Sequence, residues 1–220
     1  MRKDLITKVL KEDTVVNARL STSSIWMPNI VYKVENQLVY IGLLNEYLEN
    51  IIMIGQKMFL KTSNSQTEFL FEGDIAKISP DFPSYVAIEI KTIRKLKNTR
   101  SSPRHDVYLG ALVKPSKTGE EVFSIAHNIS LNGMAFYSRS DLAVDNQQID
   151  VWIRLPNSKT IKTRGKVKRM SIKEHFSDYG FQYTELDNES KTLLSNFFNC
   201  LEKEKTKLRE EFSNNIKKHL

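Results

Sequence analysis

Two arginines, Arg100 and Arg104, stand four residues apart in the run RSSPR, and a second polar cluster, NISLNG, follows at 128–133. A guanidinium presents a planar fork of donors. It pairs bidentately with phosphate, matches the adjacent O6 and N7 acceptors of guanine, and lies against purine faces. Lysine would supply the charge without reading the base edge as well. Helical i, i+4 spacing would put both arginines on one face. Pro103 biases Ser102 away from helix, however, so the pair is expected on a loop that orders around an anion. In the second cluster Asn128 and Ser130 offer an amide and a hydroxyl. Gly133, with no Cβ, permits close backbone approach or positive φ, and Asn132 tolerates left-handed geometry.

The elements around these clusters read as strands. Before residue 90 the short segments VVNARL, NIVYKVE, LVYIGLL, KMFLKT, EFLFEGDIAKI and YVAIEI are separated by turn formers such as Met27-Pro28-Asn29, Asn64-Ser65 and Pro80-Asp81-Phe82-Pro83. The stretch 91–104, KTIRKLKNTRSSPR, breaks the pattern with six basic residues and no acidic one. Strand patterns then resume in VYLGALVKP, EVFSIAHN, MAFYS, IDVWIRL, TIKTRGKVKRM and YGFQYTEL. Ile149, Val151, Ile153 and Leu155 share one face, and Lys162, Arg164, Lys166 and Lys168 line one side of the next segment. Many short, punctuated strands argue for small barrels. From residue 187 the period changes to three and four, with Leu194, Phe197, Phe198, Leu201, Leu208, Phe212 and Ile216 forming an amphipathic helix or helix pair. Its first part is expected to pack on the preceding barrel, and its more polar KEKTKLREE part to extend into solvent or self-associate. No internal repeat is evident. The expected organisation is a first β domain over 1–92, a basic linker over 93–104, and a second β domain with the helix over 105–220.

Charge is unevenly spread within a net +7: residues 1–90 hold 9 Lys/Arg against 11 Asp/Glu, and residues 91–220 hold 24 against 15. The second half is therefore the one suited to an anionic partner. The single cysteine, Cys200, cannot form an internal disulfide, no apolar run approaches the roughly 20 residues of a membrane span, and no secretory h-region opens the chain. A cytoplasmic location is expected.

RxxxR followed two strands later by [D/N]xSxxG resembles the signature of the PilZ family, and the likeness continues through the hairpin IDVWIRLPNSKTIKTRGKVKRM, the strand YGFQYTEL and the helix, over about 95–203. Among ten arginines, an RxxxR pair arises about half a time by chance, so the ordered pair of motifs carries the specificity. The resemblance implies a mainly β chain with an N-terminal split barrel, a C-terminal six-stranded PilZ barrel and a C-terminal α-helix. It implies a receptor for cyclic di-GMP, with Arg100, Arg104, Asn128, Ser130 and Gly133 as ligand-binding residues and Lys168 and Arg169 as candidates beside them. No cofactor other than that ligand, and no metal, is expected. The first half resembles the barrel paired with PilZ in the flagellar brake (YcgR-like) family. That likeness implies domain reorientation on binding and a flagellar motor or switch protein as partner.

An enzyme is not expected. His105, His127, His175 and His219 lack metal-ligand spacing, no G-x-S-x-G elbow or Gly-rich phosphate loop occurs, and Cys200 sits in an apolar helical stripe. Two other readings stay open: a basic nucleic-acid-binding barrel, against which the aromatics follow core-like alternation, and a PilZ adaptor that binds only protein. No DNA or RNA partner is expected. Oligomeric state is not fixed by the sequence.

Overall fold

In a computed structural model the chain folds as two closed six-stranded antiparallel barrels and a C-terminal helix. The residues described are 2–64, 66–100, 102–116, 118–140, 142 and 148–220; Ser65 and Ser101, placed by the sequence in a turn and in the linker, lie outside them. Among the described residues no helix is long and apolar enough to cross a membrane.

The first barrel follows helix α1 (Arg2–Val9) and consists of β1 (Val15–Leu20), β2 (Met27–Glu35), β3 (Leu38–Gly42), β4 (Lys57–Ser63), β5 (Thr67–Ser79) and β6 (Tyr85–Lys97), with α2 (Asn45–Glu49) between β3 and β4. Its strand order is β1-β2-β3-β6-β5-β4, closed by β1 on β4 with Ala18 opposite Leu60. Alternation places Val16, Ala18 and Leu20 inward with Ile41, Leu60, Phe71 and Ile88, and Ile6 of α1 and Leu10 just after it join this core.

The second barrel consists of β7 (His105–Pro115), β8 (Val122–Ile129), β9 (Gly133–Ser138), β10 (Gln148–Arg154), β11 (Thr160–Ile172) and β12 (Ser177–Leu186), followed by α3 (Asn188–Glu211). Closure is by β7 on β10, with Val113 opposite Val151. Ile149, Val151, Ile153 and Leu155 are buried, as their alternation requires. Asp187 caps α3: its Oδ1 accepts the Ser190 N–H at 2.6 Å, and this bond holds the carboxyl below its ordinary range. The first half of α3 then buries Leu194 and packs Phe197, Phe198 and Leu201 against the barrel.

No repeat is visible in the sequence, yet the two barrels run the same circuit. In each, the third strand lies beside the sixth, and the sixth beside the fifth. The correspondence reaches single residues. Both fifth strands carry two irregularities, at Glu72/Gly73 and Ile75/Lys77 in β5, and at Arg164/Gly165 and Val167/Arg169 in β11. By pairing, Lys77 answers to Arg169, Ala87 to Gly180, Tyr85 to Asp178, Tyr40 to Ala135, and Lys33 to His127. A shared backbone plan with different side chains leaves little trace in residue identity.

Two expected boundaries move. Residues 93–97, read as linker, are strand: β6 runs to Lys97 opposite Thr67. β3 pairs with β6 only as far as Glu89, so the rest of β6 is an edge. Edges favour lysine and arginine, which imitates a linker in the sequence. The chain also divides differently at its end. The compact units are Met1–Thr99 with Glu202–Leu220, and Arg100–Leu201. The KEKTKLREE part over 203–211 is mostly exposed, as expected, but the residues after it do not trail into solvent: Phe212 is 1% exposed, stacks on Tyr32 at 5.5 Å and clusters with Ile30. Lys217 pairs with Glu12 at 2.6 Å. Its apolar steps find the aromatic surface of Tyr32, Tyr40 and Tyr85, which periodicity alone could not reveal.

Candidate functional site

The NISLNG cluster forms the turn between β8 and β9. Asn128 sits at the irregularity between His127 and Ile129 with φ +60°, a left-handed conformation that asparagine adopts more readily than most residues. The sequence had assigned such geometry to Gly133 or Asn132, but Gly133 serves the other purpose considered for it. A Cβ there would collide with the Phe181 carbonyl oxygen on β12, so only glycine lets the two strands approach. Asn128 Nδ2 donates to Asp106 Oδ1 at 3.4 Å, and its buried Oδ1 has no hydrogen-bond partner among the described residues. The Ser130 hydroxyl donates to the Gly133 carbonyl at 3.0 Å and accepts from the Asn132 N–H at 3.4 Å, so it shapes the turn.

The arginine-bearing loop reaches this turn. Asn132 Nδ2 donates to Ser102 Oγ at 2.9 Å, between the two arginines. Arg104 lines a solvent-open cavity of about 360 Å³ together with Ser130, Gly133, Lys168, Arg169 and Gly180. Arg100 is exposed and, like Asn128, is not among the lining residues.

Lys168 and Arg169 both reach the cavity although they are consecutive. Strict alternation would send them to opposite faces. The register shift between Val167 and Arg169 inserts an extra residue, and both end up exposed on the same side. Arg169 extends along Gly180, where a Cβ would stand 3.2 Å from its Nε. Its Nη2 donates to Asp178 Oδ2 at 3.4 Å, while Asp178 Oδ1 meets His127 Nε2 at 3.1 Å. Partial burial pushes the Asp178 carboxyl up, but the His127 hydrogen bond and the charges of His127, Arg169 and Lys173 outweigh it and hold the group below 3.8. The His127 ring stacks on Tyr137 at 3.8 Å.

Sequence reasoning did not find the floor of the cavity, Ala135, Gly180 and Phe181, or the Asp178 and His127 support. One signal was present: Gly180 interrupts an otherwise strand-like run, and glycine inside a strand marks close approach. Among the described residues no group of three or more His, Cys, Asp or Glu side chains is arranged to hold a metal ion. A second, larger cavity of about 620 Å³ lies alongside, sharing Asn132 and Gln182 and bordered by Tyr183 and Lys191.

Residues 98–199, the second barrel with the start of α3, match the family described as PilZ domain. Among solved structures it is similar to the inhibitor of motility MotI/DgrA of Bacillus subtilis, at 15% identity over 88% of this chain and 97% of that one, with a TM-score of 0.43. It is similar also to YcgR of Escherichia coli in complex with c-di-GMP (9% identity, 94% and 92% covered, TM-score 0.46). A third is the MrkH–c-di-GMP complex of K. pneumonia (14% identity, 93% and 94% covered, TM-score 0.46). No curated protein matches the chain.

Proposed function

We propose that the chain is a cyclic di-GMP-binding effector, a binding protein without catalytic activity, and that the cavity on the second barrel is its ligand site. The observation that carries this is the convergence of Arg104, Lys168 and Arg169 with Ser130 and Gly133 around one open cavity inside the PilZ match. Three cations over a small polar turn suit a doubly anionic ligand, and the guanidinium forks suit its guanine edges. The small residues Ala135 and Gly180 keep the cavity floor low enough to admit a purine. Arg104 grips phosphate or guanine from the loop. Arg100 closes over the outer face of the ligand and loses conformational freedom in doing so, which the charge-assisted contacts offset. Ser130 holds the turn and offers its remaining lone pair. Asn128 offers Oδ1, an acceptor for a guanine N–H once ordering of the loop around the ligand uncovers it.

Binding orders the loop between the domains and reorients them, and the altered surface regulates a protein partner, with flagellar motility as the output. The support for this step is the order of parts: a β-barrel, the arginine pair, then the PilZ barrel.

Calorimetric titration of the purified chain with cyclic di-GMP tests the site. Saturable binding that disappears in Arg100→Ala and Arg104→Ala, both still folded by circular dichroism, is the expected result. Undiminished affinity in both variants would remove the assignment. For the output, deletion of the protein should alter swimming in cells with raised cyclic di-GMP; unchanged swimming there would exclude motility.

A further inference from the structure

One end of the first barrel presents apolar side chains to water. Leu48, Ile51, Met53 and Ile54, from the end of α2 and the loop to β4, are each more than half exposed, Ile51 to 74%. The loop over 21–26 lies beside them, because Gln56 Nε2 donates to Thr22 Oγ1 at 3.3 Å and the Ser21 N–H to the Lys57 carbonyl at 3.0 Å. That loop adds Ile25, 46% exposed. Single exposed apolar residues are ordinary; a cluster at one end of a barrel marks a contact surface.

This segment is tied down. The Ile52 N–H donates to the Tyr47 carbonyl at 3.1 Å and the Gly55 N–H to the Ile75 carbonyl at 2.8 Å. Tyr47 itself is fully buried, its hydroxyl accepting from Asn29 Nδ2 at 3.1 Å. Within this fixed loop Ile51 holds φ +54°. A β-branched side chain is crowded in the left-handed region, where glycine or asparagine is at ease. A residue both strained in its backbone and open to solvent contributes nothing evident to folding. Strain of this kind collects where a surface does something else.

The charges around the patch identify what fits it. Residues 44–56 contain Glu46 and Glu49 and no lysine or arginine. The neighbouring cations each have a partner: Lys57 pairs with Glu72 at 2.6 Å, and Arg19 and Lys61 lie over the Trp26 ring at 4.9 and 4.4 Å, at the far edge of the 21–26 loop. An anionic lipid surface would be repelled by the two glutamates, and a second copy would set like charges against each other.

We propose that this end of the first barrel docks a partner protein through a segment that sets lysine or arginine beside apolar side chains. The patch shares no residue with the nucleotide site.

The test is to pan a random peptide library displayed on phage against the immobilised full chain and to resynthesise the enriched peptides. Basic, apolar-rich sequences are expected. They should bind Met53→Ser and Ile54→Ser at least tenfold more weakly, and Glu46→Lys with Glu49→Lys likewise. Ile51→Gly should lose affinity while its melting temperature holds or rises, since glycine takes positive φ without strain. A lower melting temperature in that variant would show Ile51 to be structural. Failure to enrich any peptide, enrichment of acidic ones, or equal binding to all variants would overturn the proposal. So would wild-type dimerisation in sedimentation that Ile54→Ser abolishes, or flotation with phosphatidylglycerol vesicles that the same variant loses.

Discussion

The two barrels share a circuit, a pair of irregularities in the fifth strand and a register, yet the same face does opposite things in each. In the second barrel the strip formed by Ala135, Gly180 and Arg169 is low and open, and a cavity lies over it. In the first barrel the equivalent strip is Tyr40, Ala87 and Lys77, with Tyr85 where the second has Asp178. There the tyrosine rings meet edge to face at 5.3 Å, with Lys33 Nζ over Tyr40 at 4.7 Å and Lys77 Nζ over Tyr85 at 5.4 Å. Phe212 and Ile216 of the tail pack against this aromatic surface. One face is left open with cations held ready; its counterpart is filled by the chain itself. The fifth strands follow suit. β5 carries Glu68, Glu72 and Asp74, whereas β11 carries Lys162, Arg164, Lys166, Lys168 and Arg169. A barrel circuit therefore does not dictate function. Side-chain size at two floor positions and the sign of charge on one strand are what distinguish the two faces.

Converting one face toward the other should have graded effects. The largest is expected for Ala135→Tyr, which puts the first barrel's ring on the floor of the cavity. Calorimetry should detect no cyclic di-GMP binding while the thermal midpoint stays near wild type; retained binding would mean that the ligand avoids this floor. Next, Phe212→Ala should destabilise the first unit by about 3 kcal/mol, the typical cost of truncating a buried phenylalanine. Each barrel holds one of the two tryptophans, Trp26 and Trp152. Denaturation of a Trp152→Phe background, followed by Trp26 fluorescence, therefore reads the first unit by itself.

Arg169→Ala should weaken the ligand by tenfold or more, the worth of a charge-assisted bond, whereas Lys77→Ala, its counterpart, should leave affinity unchanged. Asp178→Asn should cost affinity a few-fold by releasing Arg169, and it carries a pH signature. The Asp178 carboxyl is held below 3.8 when folded, so its ionised form stabilises the fold above the unfolded value, about 3.9. That contribution disappears as pH falls through the folded value. The wild type should therefore lose more stability than Asp178→Asn as pH falls below about 4. Parallel acid limbs would show that the carboxylate makes no net contribution.

Most of the strands could be read from the sequence because barrel walls alternate cleanly, as in Ile149, Val151 and Ile153. The turn motif was equally visible, since Ser130 and Gly133 stand at a fixed spacing. What alternation cannot express is an irregularity. Lys168 and Arg169 share a side only because the register slips, and Asn128 is left-handed for the same kind of reason. The β6 edge was hidden by its own lysines, and the shared circuit by the difference in charge between β5 and β11. The destination of Phe212 depends on a surface nearly two hundred residues away, about which a helical period is silent.

That last contact separates the order of synthesis from the order of completion. The first barrel leaves the ribosome early, but Ile30 and Tyr32 stay uncovered until Phe212, encoded after the entire second barrel, has emerged. Throughout translation of the second barrel the nascent first barrel carries a bare aromatic surface, the kind of transient exposure that invites chaperones or misassembly.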